Sequence, residues 1–199
     1  MLPMIDRQDV TGLVLSGGRG SRMGGVDKGL QSLEGKPLVA HALARLAPQV
    51  GSLMINANRN TETYAAFGVP VLPDADGEFS GPLSGFLSGL SHCPTDWLVT
   101  VPCDSPRLPS DLVARFAVEI GSSLAAIAVT DEQGARQRQP VFCLLHRSLQ
   151  DALSDYLAGG GRKIDRWLDS VGCADVFFED TGAFFNANTI EELRQLGIK

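Results

Sequence analysis

Residues 11–30 read TGLVLSGGRGSRMGGVDKGL, a short apolar and partly β-branched run that breaks after Ser16 into glycines and cations. Thr11–Ser16 has the pattern of a buried strand, and Leu15–Leu30 is then the loop that leaves it. Five glycines, Gly17, Gly18, Gly20, Gly24 and Gly25, let consecutive backbone N–H groups turn inward as an anion-binding nest. Arg19, Arg22 and Lys28 add three positive charges against the single Asp27. A polyphosphate is the expected ligand, because an ordinary Gly-rich surface loop needs neither these cations nor a place directly after a buried strand. Two familiar phosphate motifs fail here. Gly18-Arg19-Gly20 meets Met23 where a dinucleotide fingerprint needs Gly or Ala, and Gly20 reaches Gly25 but finds Val26 where a Walker A loop needs Lys.

Beyond the loop, strand and helix signals alternate. Pro37–Leu46 opens with Pro at a helix N1 position and sets Leu38, Ala42 and Leu46 on one face. Further strands are predicted at Ser52–Ala57, Val69–Leu72, Asp96–Cys103, Leu124–Thr130, Pro140–Leu145 and Asp175–Glu179. Helices are predicted at Thr61–Phe67, Pro82–Leu90, Pro109–Ile120 with Ser110 as its cap, Leu149–Leu157, Ile164–Val171 and from about Ile190. This order implies a three-layer α/β/α fold with a mostly parallel, Rossmann-like sheet and a ligand site at the carboxyl ends of the strands. A chain of 199 residues predicts one core, a domain over residues 10–199 after an N-terminal extension of residues 1–9.

Composition narrows the function classes. With 44% hydrophobic and 20% charged residues the chain is neither disordered nor a coiled coil. Seventeen Lys and Arg against 23 Asp and Glu give a net charge of −6, without the basic excess of a nucleic-acid binder. The opening MLPMIDRQDV is not a signal peptide and no run approaches about 18 apolar residues, so no membrane partner and a cytoplasmic location are expected. Cys93, Cys103, Cys143 and Cys173 show no zinc-ligand spacing and are expected as free thiols in core or strand positions. His41, His92 and His146 match no metal motif.

The pattern L-x-G-G-x-x-x-R-M-G-x-x-D-K from Leu15 to Lys28 resembles the nucleotidyltransferase signature of the molybdenum cofactor guanylyltransferases. Asn56-Ala57-Asn58-Arg59, Asp74, Ser80-Gly81-Pro82-Leu83-Ser84-Gly85, Pro102-Cys103-Asp104-Ser105-Pro106 and Asn186-Ala187-Asn188-Thr189 resemble that family's motifs in order, from about Gly12 to Leu193. Cytidylyltransferases and sugar-phosphate nucleotidyltransferases carry relatives of the first loop; the later motifs are narrower. Ser16, where the family often has Ala, and Gly20-Ser21 are the departures, and neither removes a charge or a nest amide. The resemblance implies transfer of GMP from GTP to molybdopterin carrying molybdenum, with release of pyrophosphate. It also implies Mg²⁺ as cofactor and transient contact with the proteins that deliver the pterin cofactor and the molybdoenzymes that receive it. Cytidylyl transfer to the same pterin and a non-catalytic GTP-binding regulatory module are the rival readings.

The residues support such chemistry without a protein nucleophile, since a phosphomonoester is already anionic near neutral pH. The site must relieve charge repulsion, align the reactants and stabilise the leaving pyrophosphate. Arg22, Lys28 and Asp104 are the candidate catalytic residues. The resemblance makes Asp104 the metal ligand; on local sequence alone it also reads as a cap of the Ser105-Pro106 turn. The family pattern carries GTP contacts onto Leu15, Ser16, Gly17, Gly18, Lys28, Asn56, Asp74 and Asp104. Guanine offers N1–H and N2–H₂ donors, so either Asn56 or Asp74 is a candidate base reader, and both also read as turn residues. Arg162 and Lys163 are candidates for the pterin phosphate or solvated charges at a helix start. Asn186 and Asn188 serve the metal, the acceptor or an Asx cap.

Overall fold

The computed structural model describes residues 5–16, 27–75, 81–187 and 192. Strand β1 (Val10–Leu15) is buried throughout. Val10 and Val14 enter one apolar cluster and Leu13 and Leu15 the other, the two-residue alternation of a strand covered on both faces. The chain then forms a small antiparallel hairpin, β2 (Ser32–Leu33) and β3 (Lys36–Pro37), followed by α1 (Leu38–Leu46), β4 (Ser52–Asn56), α2 (Thr61–Ala65), β5 (Val71–Leu72), α3 (Pro82–His92) and β6 (Trp97–Pro102). After α4 (Leu112–Glu119) come β7 (Ala125–Glu132), β8 (Ala135–His146), α5 (Gln150–Ala158), α6 (Ile164–Val171) and β9 (Cys173–Phe177).

Seven strands form one sheet in the order β5-β4-β1-β6-β8-β7-β9. All pairings are parallel except those of β8, which runs antiparallel to both β6 and β7. Helices α1 and α4, with Tyr64 of α2, cover one face. Helices α3, α5 and α6 cover the other with Phe86, Leu153 and Trp167. The chain steps outward from β1 to β4 and β5, then α3 carries it back across to β6. The order reverses between β1 and β6, where an open α/β sheet leaves a crevice at its carboxyl edge.

Helix α3 lies against that crevice because Gly85 and Gly89 face the sheet one turn apart. A Cβ on Gly89 would lie 2.6 Å from Leu13 Cδ2, and one on Gly85 would lie 2.5 Å from Asn56 Oδ1. Only glycine permits this approach at the two positions.

Several boundaries differ from the sequence reading. Pro37 closes β3 and stands at the N-cap of α1, with ψ 147°, so the helix begins at Leu38. Helix α4 starts at Leu112 rather than Pro109, and Ser110 is exposed and does not cap it. The cap comes from outside: Gln49 Oε1 accepts the Val113 N–H at 3.1 Å while its amide donates to Arg45 O and Pro109 O, each at 2.9 Å. The strand expected at Pro140–Leu145 is the inner part of a longer β8, and β9 starts two residues early, at Cys173. The last expected helix lies outside the described residues apart from Glu192. All four cysteines are free, with Cys103 and Cys143 buried.

Candidate active site

Backbone pairing gathers the candidate residues. Leu15 stands beside Asn56 on one side and Pro102 on the other. Two bonds carry the ladders past the strand ends: Ser16 N–H to Asn56 O at 2.8 Å, and Cys103 N–H to Leu15 O at 3.0 Å. Three parallel strands therefore finish together, and Ser16, Asn56 and Asp104 issue from one edge. The Leu15 side chain is part of the core, 8% exposed. Ser16 Oγ is buried and makes no hydrogen bond to any described residue.

Lys28 and Asp104 come from opposite sides of the crevice. Lys28 Nζ donates to Asp104 Oδ2 at 3.3 Å, the side chains being 29% and 13% exposed. Burial pushes the Asp104 carboxyl up from its ordinary value, and the Lys28 ammonium pulls it part of the way back. The turn after Asp104 is tied down from the far end of the chain: Ala187 N–H donates to Asp104 O at 2.8 Å and Ser105 Oγ to Asn186 Oδ1 at 2.5 Å. The donor set suits a hard cation that keeps most of its coordination for water and phosphate oxygens. Mg²⁺ binds through one or two carboxylates in such sites, and the described residues hold no cluster of three or more His, Cys, Asp or Glu.

A second polar group lies beside β4 and β5. Asn56, 1% exposed, donates its amide to Leu72 O at 3.2 Å and Asp74 Oδ1 at 3.0 Å. Asn58 donates to Asp74 Oδ2 at 2.6 Å and accepts the Asp74 N–H at 2.7 Å. The Asp74 carboxylate is thus fixed by neutral amides at the crevice edge. Of the two candidate base readers, Asn56 is enclosed and half-buried Asp74 is presented.

Some candidates fall elsewhere. Gly17, Gly18, Arg22 and Asn188 lie outside the described residues. Arg162 is exposed and folds back to donate to Leu157 O at 2.9 Å and Gly161 O at 2.7 Å, closing the end of α5. Lys163 is the N-cap residue of α6, and its carbonyl accepts the Tyr156 hydroxyl. Because β8 ends at the amino edge and β9 begins there, the α5–α6 turn that carries both lies towards the carboxyl edge.

Sequence reasoning missed the holding role of Asp27, which it reads as a negative charge among cations and as one position of the Leu15–Lys28 pattern. Its carboxylate caps the turn Lys28–Leu30 by accepting the Gly29 N–H at 3.2 Å. It also accepts the Tyr64 hydroxyl at 2.5 Å and the Asn60 amide at 2.9 Å. The Asp-x-Gly spacing is the one local signal for this turn.

A family model described as the MobA-like NTP transferase domain matches residues 12–171. The chain is 58% identical over 194 residues to a molybdenum cofactor guanylyltransferase of Cupriavidus necator, covering 96% of this chain and 98% of that relative. A protein of the same name from Acidovorax ebreus is 54% identical over 205 residues, covering 97% of each. Among solved structures, molybdopterin-guanine dinucleotide biosynthesis protein A from Archaeoglobus fulgidus superposes with a TM-score of 0.70 at 20% identity, over 93% of this chain and 95% of that one. The 4-diphosphocytidyl-2C-methyl-D-erythritol synthase of Anaerococcus prevotii superposes with a TM-score of 0.77 at 12% identity, over 98% and 96%. At such identities these two structures establish the shared fold alone.

Proposed function

Because the chain belongs to the MobA-like NTP transferase family and is therefore a nucleotidyltransferase, we propose that it transfers GMP from GTP to molybdenum-bearing molybdopterin. Pyrophosphate leaves and the guanine dinucleotide form of the cofactor results. The observation that carries the chemistry is the Lys28–Asp104 pair across the β1/β6 crevice, at the end of a glycine-rich loop. The relatives' name carries the choice of guanine and of acceptor.

In this reading the phosphate of the acceptor attacks the α-phosphorus of GTP and the bond to the β-phosphate oxygen breaks, in line, with no covalent enzyme intermediate. Lys28, with Arg22 and the amides of Gly17 and Gly18, holds the phosphates and meets the charge that grows on the leaving pyrophosphate. Asp104 is the residue that would hold Mg²⁺, and the ion would supply positive charge to offset that of the phosphates. Leu15 and Ser16 set the start of the loop. Asp74, oriented by Asn56 and Asn58, accepts the N1–H and N2–H₂ donors of guanine; cytosine offers no such pair. The acceptor enters from the side of Asn186 and the α5–α6 turn with Arg162 and Lys163. Residues 10–199 act as one domain, in the cytoplasm; no described helix is long and apolar enough to cross a membrane.

The test offers GTP, CTP and ATP together with Mg²⁺ and purified acceptor, and separates the dinucleotide products. A guanine product in large excess is expected. A mainly cytosine product overturns the guanylyl reading, and no dinucleotide with a competent acceptor overturns the enzyme reading.

A further inference from the structure

Lys28 reaches Asp104 from a turn of three residues, and a lysine on so short a turn places its ammonium only as well as its backbone is held. The holding group is the Asp27 carboxylate. Oδ1 accepts both the Gly29 N–H and the Tyr64 hydroxyl, and Oδ2 accepts the Asn60 amide. Tyr64 is fully buried, with its ring against Phe67, centroids 6.5 Å apart. Its hydroxyl points past that packing towards Gly29, where an added Cβ would run into it and would lie 3.3 Å from both Cys103 Sγ and Ser16 Oγ. The end of β1, the Lys28 turn, the end of β6 and α2 therefore meet at one phenol. Burial first, and then the bond to Asp27, push the Tyr64 hydroxyl far above its ordinary range, so it stays a donor at every working pH.

Helix α2 has five residues and no side-chain N-cap bond; Asn60, at φ 52°, spends its amide on Asp27 instead. So short a helix gains little from its own hydrogen bonds. The helix and its N-cap residue give both side-chain donors to Asp27. Removing the Tyr64 hydroxyl leaves the aromatic packing intact and takes one strong restraint from the residue next to Lys28.

We propose that Tyr64, with Asp27 and Asn60, is a latch that positions Lys28 against the triphosphate, making Tyr64 a positioning residue for nucleotide use. The inference rests on the nucleotidyl-transfer reading above and adds residues to it. Its energetic scale is that of one hydrogen bond to a charged group, which corresponds to about a tenfold change or somewhat more.

Tyr64→Phe is compared with wild type, Lys28→Ala and the double variant, using GTP, Mg²⁺ and acceptor. The latch predicts a fall of about tenfold in kcat/KM for GTP with KM for the acceptor unmoved. It further predicts that Tyr64→Phe costs nothing once Lys28 is already alanine, because the two changes act through one ammonium. An equal loss in both backgrounds overturns it. Amide hydrogen exchange supplies a readout that does not need activity: the segment 27–33 exchanges at least about tenfold faster in Tyr64→Phe, while β1 and β6 keep wild-type protection. Unchanged exchange at 27–33 overturns the latch whatever the turnover. Wild type making no guanine product overturns the functional reading, and exchange still decides the latch. If Tyr64→Phe folds poorly, Asp27→Asn carries the same arms, since it keeps an acceptor for Gly29 and weakens the other bonds.

Discussion

The two halves of the sheet both contain carboxylates in polar networks, and they treat the charge in opposite ways. On the parallel side, Asp74 is met by the neutral amides of Asn56 and Asn58 at 3.0 and 2.6 Å, so its geometry is fixed by uncharged partners. On the β8-β7-β9 side, the Arg138 guanidinium meets Asp169 at 2.7 Å and Asp175 at 2.9 Å, so two carboxylates share one cation. Those two carboxylates push the guanidinium above its already high ordinary range, the bond to Asp169 being the largest contribution. A charge that is oriented but not neutralised remains available to a ligand. On the proposed reading, the contrast separates a half that binds from a half that holds the sheet together.

The strongest way to sharpen the contrast is Asp104→Asn. Removing one well-placed charge commonly costs on the order of 10²- to 10³-fold in rate, and we expect at least that in kcat. Stability should move the other way. A carboxyl whose folded pKa is raised favours the fold at low pH and loses that contribution as pH rises through the folded value. The ligand-free variant should therefore melt no lower than wild type at pH 7.5, with any advantage gone near pH 4; a clear loss of Tm at pH 7.5 would contradict the burial argument.

Asp74→Asn comes next. It sets amide against amide in the network with Asn56 and Asn58 and removes the proposed base acceptor. The preference for GTP over CTP should drop by about tenfold or more, read from product ratios in a mixed-nucleotide assay. An unaltered ratio would leave Asp74 a turn residue.

The paired glycines divide binding from stability. Gly85→Ala and Gly89→Ala each force a Cβ into occupied space and should each cost roughly 1–3 kcal/mol by overpacking. Gly85→Ala should in addition raise KM for GTP, because its Cβ presses on the Asn56 amide that aims Asp74. Urea melts together with GTP titrations of both variants show whether the two effects part in this way. The smallest change is expected on the other side of the sheet: Arg138→Ala should lower stability by about 1 kcal/mol and leave turnover at the wild-type value, its partners being largely exposed. Lost turnover would erase the division between the halves.

Much of this architecture was legible in local pattern. β1 was expected at Thr11–Ser16 and forms at Val10–Leu15, and α6 forms over the expected span Ile164–Val171. In both, apolar spacing is set by burial and shows in the chain itself. The outer half of the β7/β8 hairpin escaped because residues 131–137 are exposed and, apart from Gly134 and Ala135, polar, so backbone pairing holds them without any apolar alternation. The cap of α4 escaped for another reason. The acceptor, Gln49, lies 64 positions before Val113, whose N–H it caps. The same distance problem hid the Asp27–Tyr64 bond, whose partners stand 37 apart. The Asn56–Asp74 contact exists only because β4 pairs with β5. Residue types at the site were readable in order along the chain; which of them touch was decided by strand order.

The bonds from Ala187 to Asp104 and from Ser105 to Asn186 also impose a schedule on biosynthesis. Strands β1, β4 and β6 can pair while the chain is still emerging from the ribosome, but the turn after Asp104 gains these two ties only when residues 186 and 187 follow. A chain stopped short of them would keep the Lys28–Asp104 pair and lose two of the bonds that hold the turn after Asp104. The carboxyl edge of the sheet is thus assembled before the turn that carries Asp104 receives its last ties.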